Sequence, residues 1–143
     1  MADKAYLPNY RVNIINVGVM TGSTGTEIAL MEAPVRMRVA KIAVLDTTAI
    51  AANDTNYGTG TAYNKGTTGS GTTSVAAQTT KATGGAAVAA HCAWELTLST
   101  TLANLIIEAG EALSFKWTEA GSGQDLVAAQ VQVEWIPHAG MAT

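Results

Sequence analysis

Apolar residues recur at every second position in several segments of this chain, and this period of two limits its fold more than any other property. The segment LVAAQVQVEWIP near the C-terminus shows it at Val127, Ala129, Val131, Val133 and Trp135. Successive side chains of a strand point to opposite sides, so this pattern predicts a β-strand with one buried face. Pro137 predicts the end of the strand, because proline donates no hydrogen bond to a ladder.

The same alternation predicts further strands. In EALSFKWTE the inward residues are Leu113, Phe115 and Trp117, and in TEIALMEAP they are Ile28 and Leu30. In HCAWELTLS they are Cys92, Trp94, Leu96 and Leu98. All three tryptophans are therefore predicted to lie in the core, where large aromatic side chains dominate the buried area.

Two strands in the first third of the chain change step part-way. VRMRVAKIAVLD alternates through Val35, Met37 and Val39, then resumes one residue out of step at Ile42 and Val44. YRVNIINVGVM changes in the same way, from Tyr10, Val12 and Ile14 to Ile15, Val17 and Val19. A slip of one residue reverses the two faces, so each segment predicts a β-bulge or a switch between sheets.

No segment sustains an apolar repeat at three and four residues. STTLANLIIEAGEAL comes nearest and predicts at most one short helix, followed by a turn at Gly110. We therefore predict an all-β fold: a single-domain antiparallel β-sandwich or jelly roll of about eight strands. We expect an extended N-terminal arm over residues 1–11, the sandwich over 12–137 and a C-terminal tail over 138–143.

Positions 52–90 consist mostly of Thr, Ala, Gly, Ser and Asn. TNYGTGTAYNKG predicts a strand with Tyr57 and Tyr63 on one side, and TTSVAAQTTKA predicts its partner, giving a long hairpin over 55–82. Strands of such small side chains form a core poorly, so we expect them to contact a neighbouring copy or a larger assembly. The alternative is a loop without function, as Gly- and Ser-rich segments often are; Val75 and the two tyrosines favour the hairpin.

Charge and cysteine content exclude several classes of protein. Charged residues make up 13% of the chain, against about 25% in an average soluble domain. A net charge of −3 leaves RMRVAK as the nearest approach to a basic patch, so we predict no nucleic-acid partner. Cys92 is the one cysteine, which excludes an intrachain disulfide and a cysteine zinc cluster. No signal-like start or membrane-length apolar run is present, which predicts a soluble, unsecreted protein without a membrane partner.

Candidate chemistry is sparse. His91 and Cys92 are neighbours on a predicted strand, so their side chains point apart, and Cys92 is expected on the core face, where thiols are usually inert. The oxygen donors Asp46, Asn53, Asp54 and Asn56 suit calcium, although their spacing does not match the twelve-residue calcium loop and such residues also build turns. We predict no enzyme, catalytic residue, cofactor, metal or small-molecule substrate, and leave calcium near Asp46–Asn56 open.

The order of several segments resembles small β-sandwich proteins of tailed-phage virions, especially capsid decoration (cement) proteins. These segments are IAVLDTTAI, NDTNYGTGT, GTTSVAAQTT, AWELTLSTT and LIIEAGEALSFKWTEAGSGQDLVAAQVQVEW. In that family a TNY-like strand, a Gly- and Thr-rich hairpin, an AGE-x-L turn and a closing V-x-V-E strand follow in this order. The resemblance runs from about Val35 to Ile136. The chain departs from the family in having no charged knob or loop motif that marks a capsid-facing surface.

The resemblance implies a trimeric protein that binds the outside of an icosahedral shell, bridges neighbouring capsomers and stabilises the head. Its partners are then the major capsid protein and itself, its location is the capsid surface, and it is made in the host cytoplasm. The residues expected to contact the capsid or sister subunits are Lys4, Tyr6, Leu7, Tyr10, Arg11, Tyr57 and Tyr63.

Two other functions stay open at this point. A host- or carbohydrate-binding module of a head fibre or tail tip would expose Tyr57, Tyr63 and Trp117. A hydrolase on a jelly-roll scaffold would need clustered histidine and acidic ligands, which two distant histidines hardly provide. The arm over residues 1–11 is an anchor if the first function holds, and otherwise a frayed terminus.

Overall fold

Two antiparallel sheets pack face to face in the computed structural model, which describes residues 11–23 and 25–138. In chain order the strands are β1 (Arg11–Met20), β2 (Thr26–Glu32), β3 (Met37–Leu45), β4 (Tyr57–Gly66), β5 (Thr73–Thr79), β6 (Trp94–Glu95), β7 (Thr97–Leu98), β8 (Ile106–Ile107), β9 (Ala112–Ala120) and β10 (Leu126–Pro137). A short 3-10 helix, Leu102–Leu105, precedes β8. The predicted all-β antiparallel sandwich is confirmed, with seven longer strands and three two-residue strands among the described residues against the expected total of about eight.

Sheet 1 has the order β1-β10-β3, and β6 and β8 both pair with the remaining edge of β3. Sheet 2 has the order β2-β9-β4-β5-β7. The segments around the predicted hairpin form β4 and β5, which pair antiparallel from Thr59↔Thr79 to Asn64↔Thr73. The turn at Gly110 lies where it was expected, with Glu111 N donating to Glu108 O at 3.0 Å.

Large side chains of both sheets fill the space between them. Trp94, Trp117 and Trp135 are all buried, as the alternation predicts. The Trp94 and Trp117 rings meet edge to face, with centroids 5.9 Å apart and planes at 74°. Aromatic pairs favour this geometry. The inward residues predicted for β2, β9 and the segment from Trp94 to Leu98 also lie in or against the core.

The predicted change of step in β3 is a β-bulge. Val39 pairs with Trp135 and Lys41 with Glu134, so Ala40 is the extra residue. The slip expected in β1 between Ile14 and Ile15 is wrong. That part of β1 is regular, because Ile14 lies opposite Gln132 and Ile15 opposite Val131, and the irregularity comes later.

The irregular part of β1 lies at Gly18, whose φ of +64° favours glycine. The register there runs from Gly18↔Ala129 to Met20↔Leu126, which leaves β10 with an additional residue. Leu126 is buried instead of Val127, which is 46% exposed. The prediction that Val127 points inward is therefore wrong.

A buried carboxylate holds this bulge of β10. Asp46, directly after β3, is 2% exposed, and its oxygens accept hydrogen bonds from Val127 N at 2.9 Å and Ala128 N at 3.2 Å. Asp46 also accepts the N–H of Thr48 at 3.2 Å. The buried carboxylate of Asp46 and these three backbone N–H groups thereby all have hydrogen-bond partners.

Three other inward assignments are wrong, and the first is Val19 of β1, which is 65% exposed. Cys92 is exposed, because its N–H closes a turn to Ala89 O at 3.2 Å and strand β6 begins only at Trp94. Val35 is 44% exposed, since it lies in the bend before β3.

The small residues of β4 accommodate the aromatic rings of β9. A Cβ at Gly58 would collide with the ring of Trp117, and a Cβ at Gly60 would lie 2.8 Å from Phe115 Cζ. The next inward residue, Ala62, is fully buried. The small residues of β4 therefore contribute to the core by leaving space for the rings of β9. Their own side chains bury little area, as expected, but the aromatic side chains of β9 fill the core beside them.

This packing predicts that Gly58→Ala destabilises the protein by about 3 kcal/mol, because the added methyl group displaces the Trp117 ring. Thr61→Ala is the matched control on the outward face of the same strand, and its effect stays within about 0.5 kcal/mol. Chemical denaturation of both variants measures this difference, and equal stabilities would contradict the packing argument.

Candidate interaction surface

The outward side of sheet 2 carries a group of small side chains beside Lys116, here called the threonine face. Its members are Thr59, Thr61, Ala77, Thr79, Thr97 and Thr118. They form cross-strand rows: Thr59 lies between Thr79 and Thr118, and Thr61 lies between Ala77 and Lys116. Thr59 Oγ1 donates to Thr79 Oγ1 at 3.3 Å.

Physical properties of this face suit contact with a large partner. Threonine is β-branched and has few side-chain conformations to lose. The backbone of β4, which carries Thr59 and Thr61, is fixed by the packing of Gly58 and Gly60 against aromatic rings. The large hydrophobic side chains that are exposed in the described residues belong to other surfaces: Val12, Ile14, Val19, Val35, Leu102 and Val127. The threonine face is thus rigid, and it is free of large apolar side chains.

Tyr57 begins β4 and Tyr63 lies three residues before its end, on this same side, and each is half-buried. Lys81 Nζ lies 5.6 Å from the ring centroid of Tyr57, and Lys65 Nζ lies 5.9 Å from that of Tyr63. Lys65 also pairs with Glu27 at 2.9 Å. Cation–π contacts at this distance hold each ring against the surface, so the face has a cation at either end.

The other predicted contact residues are placed elsewhere. Arg11 opens β1, in sheet 1, and is not on the surface that carries the two tyrosines. Lys4, Tyr6, Leu7 and Tyr10 lie outside the described residues. The structure therefore brings together only the tyrosine pair.

A sugar-binding platform of Tyr57, Tyr63 and Trp117 does not form. Trp117 is fully buried, and its Nε1 donates to Gln124 O at 3.1 Å. The two tyrosines are half-buried beneath lysines, as described above. The specific feature that would favour carbohydrate binding through these three rings is therefore missing.

His91 and Cys92 are both exposed in a turn. His91 has a φ of +59°, and its N–H donates to Asp46 O at 2.8 Å. A cleft of about 320 Å³ lies beside it on the outer side of sheet 1, lined by Asn16, Leu45, Asp46, Thr47, His91, Ala128 and Gln130. Cys92 does not line this cleft.

The oxygen donors between Asp46 and Asn56 fasten loops. Asn53 Oδ1 accepts from Thr55 N and Asn56 N at 2.8 and 2.7 Å, and Asn56 Oδ1 accepts from Ser122 N at 2.8 Å. Asp54 accepts from both the backbone and the hydroxyl of Thr83, and these bonds lower its pKa. Within residues 11–23 and 25–138, no three His, Cys, Asp or Glu side chains group as metal ligands.

Two carboxyl groups meet at the turn after β1. Gly22 N donates to Glu119 Oε1 at 3.1 Å and to Asp125 Oδ1 at 3.3 Å. Burial raises the pKa of Glu119, and its hydrogen bond and repulsion with Asp125 raise it further. The pair therefore favours the folded state most when Glu119 carries a proton.

Glu119→Gln is expected to stabilise the protein at neutral pH, since glutamine keeps the shape of the protonated acid without the charge. Because the pKa is raised on folding, the contribution of Glu119 is full below its unfolded pKa and is lost as pH rises through its folded pKa. The advantage of the variant thus shrinks as pH falls toward the unfolded pKa. Denaturation at several pH values measures it, and an advantage that grows on acidification would contradict this account.

In the part of the chain that the structure describes, no helix is both long and apolar enough to cross a membrane.

The chain matches no protein-family model, and no curated protein matches it significantly. Among solved structures it is similar to chains of the infectious bursal disease virus VP2 subviral particle (15% identity, TM-score 0.44, covering 94% of this chain and 34% of that chain). It is also similar to the Gx strain structure of that virus (14%, TM-score 0.42, 92% and 33%) and to its T13 particle (17%, TM-score 0.40, 90% and 31%).

The chain spans about a third of the length of these viral chains. At such identities and TM-scores the likenesses carry no argument about what this protein does. The function must be argued from its own sequence and surfaces.

Proposed function

We propose that this protein is a non-enzymatic virion structural protein that binds the outside of a phage capsid as a trimer. In this role it bridges capsomers and stabilises the shell. The observation that carries the proposal is the threonine face, a rigid surface of small side chains on a chain whose order of segments resembles capsid decoration proteins from Val35 to Ile136.

Binding through such a face costs little conformational entropy. The threonine side chains are stiff, and the backbone of β4 is held by the rings of β9. Each contact is weak, because small side chains bury little area. Three copies of the face in one trimer, bound to a shell with repeated sites, multiply weak contacts into firm attachment.

The predicted contact residues fit into this arrangement. Tyr57 and Tyr63, with Lys81 and Lys65 over their rings, give each end of the face an aromatic surface and a cation for acidic groups of the partner. The N-terminal residues Lys4, Tyr6, Leu7, Tyr10 and Arg11 are the proposed anchor to the major capsid protein or to a sister subunit. The proposed location is therefore the capsid surface.

Thr61→Arg tests the role of the threonine face. An arginine here lies beside Lys116, so it adds a second positive charge and fills the space above the small side chains; it is expected to weaken binding to undecorated shells of the same phage by about tenfold or more. The matched control is Leu102→Arg, which places the same side chain at an exposed position in the 3-10 helix. Co-sedimentation with the shells measures both.

Two outcomes would count against the proposal. Failure of the wild-type protein to bind shells contradicts the function. Equal binding by Thr61→Arg and Leu102→Arg shows that the threonine face is not the contact surface.

A further inference from the structure

Edge strands leave backbone hydrogen-bonding groups without a ladder partner, and proteins usually protect them. In this fold β6, β7 and β8 protect their edges by being two residues long. The edge strand β2 carries the exposed acids Glu27 and Glu32. Each of these edges has a recognisable device against pairing with another strand.

The edge strand β1 lacks such a device over its first half. It is ten residues long, and it has no proline and no charged residue after Arg11. Its outward side exposes Val12 (48%) and Ile14 (60%). Pairing with β10 is regular from Arg11 to Asn16, and only beyond this does the bulge at Gly18 disturb the strand. Among residues 11–23 and 25–138, no strand pairs with this regular, neutral and aliphatic edge between Val12 and Asn16.

Contacts behind the strand hold this edge in place. Trp135 Nε1, on the neighbouring β10, donates to Asn13 Oδ1 at 2.7 Å. Ile15 packs against the core, and Val17 is buried in it. The strand is thus ordered before any partner arrives, which lowers the entropic cost of adding one.

We propose that the β1 edge pairs antiparallel with β1 of a second copy of this chain, with Val12 of each copy beside Ile14 of the other. The charge pattern of the strand selects this occupant. A two-fold axis through Asn13 places Val12 of the first copy beside Ile14 of the second, and Ile14 of the first beside Val12 of the second. They also place the two Arg11 residues at opposite ends of the joint, so that no like charges meet.

This contact is separate from the threonine face, although Arg11 at its end also belongs to the proposed anchor. It uses the edge of sheet 1, whereas the threonine face belongs to sheet 2. A two-fold contact does not make a trimer, so in a trimeric protein it joins two trimers. In either case the loss of β1 pairing halves the mass of the assembly.

The test is the mass of the full chain over a range of concentrations by sedimentation velocity. Ile14→Lys is expected to weaken self-association by about tenfold or more, because each introduced lysine must lie against Val12 of the other copy. Leu102→Lys is the matched control, at an exposed position of similar character on the 3-10 helix. Circular dichroism confirms that both variants fold.

A charge-pairing experiment tests the register. Val12→Glu and Ile14→Lys should each weaken association alone, whereas an equimolar mixture should recover it. In the mixed pair the introduced glutamate of one copy lies beside the introduced lysine of the other, and the second contact keeps its original Val12 and Ile14. Recovery in the mixture supports the proposal. An Ile14→Lys variant with the same assembly mass as the wild-type protein, or a mixture that associates no better than either variant alone, overturns it.

Shell binding separates this proposal from the proposed function. The Ile14→Lys variant keeps its threonine face intact, so it is expected to bind undecorated shells even when its self-association is lost. Binding to shells with no change in self-association overturns the β1 pairing alone, whereas loss of shell binding by the wild-type protein overturns the proposed function.

Discussion

The ring of Trp117 lying on the backbone of Gly58 sets how closely the two sheets can pack. Sheet 2 can approach sheet 1 only because β4 presents no side chain at Gly58 and Gly60, where the rings of Trp117 and Phe115 need the space. The edge-to-face contact between Trp94 and Trp117 then connects the aromatic side chains of the two sheets. A strand with glycines on its inward face, next to a strand with aromatic side chains, gives a chain rich in glycine, alanine and threonine a close-packed core.

The same constraint shapes the outer surface. Because β4 is pinned from below, its outward threonines form regular rows with those of β5 and β9. Loops at the ends of the sandwich are fixed by side chains that bond backbone N–H groups across long sequence separations, as Asp46 does for Val127 and Ala128. Packing in the core and hydrogen bonds at the loops therefore fix the backbone beneath this surface.

The alternation of apolar and polar residues predicted the strands and which of their faces are buried. Burial of Leu113, Phe115 and Trp117 follows from alternation alone. In β3 the pattern gave the change of step, and the structure decides for a bulge over a switch between sheets. Alternation does not show which residues of neighbouring strands are adjacent. It therefore could not show that the ring of Trp117 packs against Gly58. It also missed the outward face of β1, because Val12 and Ile14 are apolar yet exposed. In the candidate site, alternation placed Tyr57 and Tyr63 on one side, but it could not show that the ammonium groups of Lys81 and Lys65 lie over their rings.

Stabilisation of a capsid from outside is tested by the unfolding temperature of undecorated shells with and without this protein. Scanning calorimetry of shells saturated with the protein measures this temperature. The saturated shells are expected to unfold at a higher temperature than bare shells, because a ligand that binds only the assembled state stabilises it. An unchanged unfolding temperature on shells that carry the bound protein would show that it does not stabilise them.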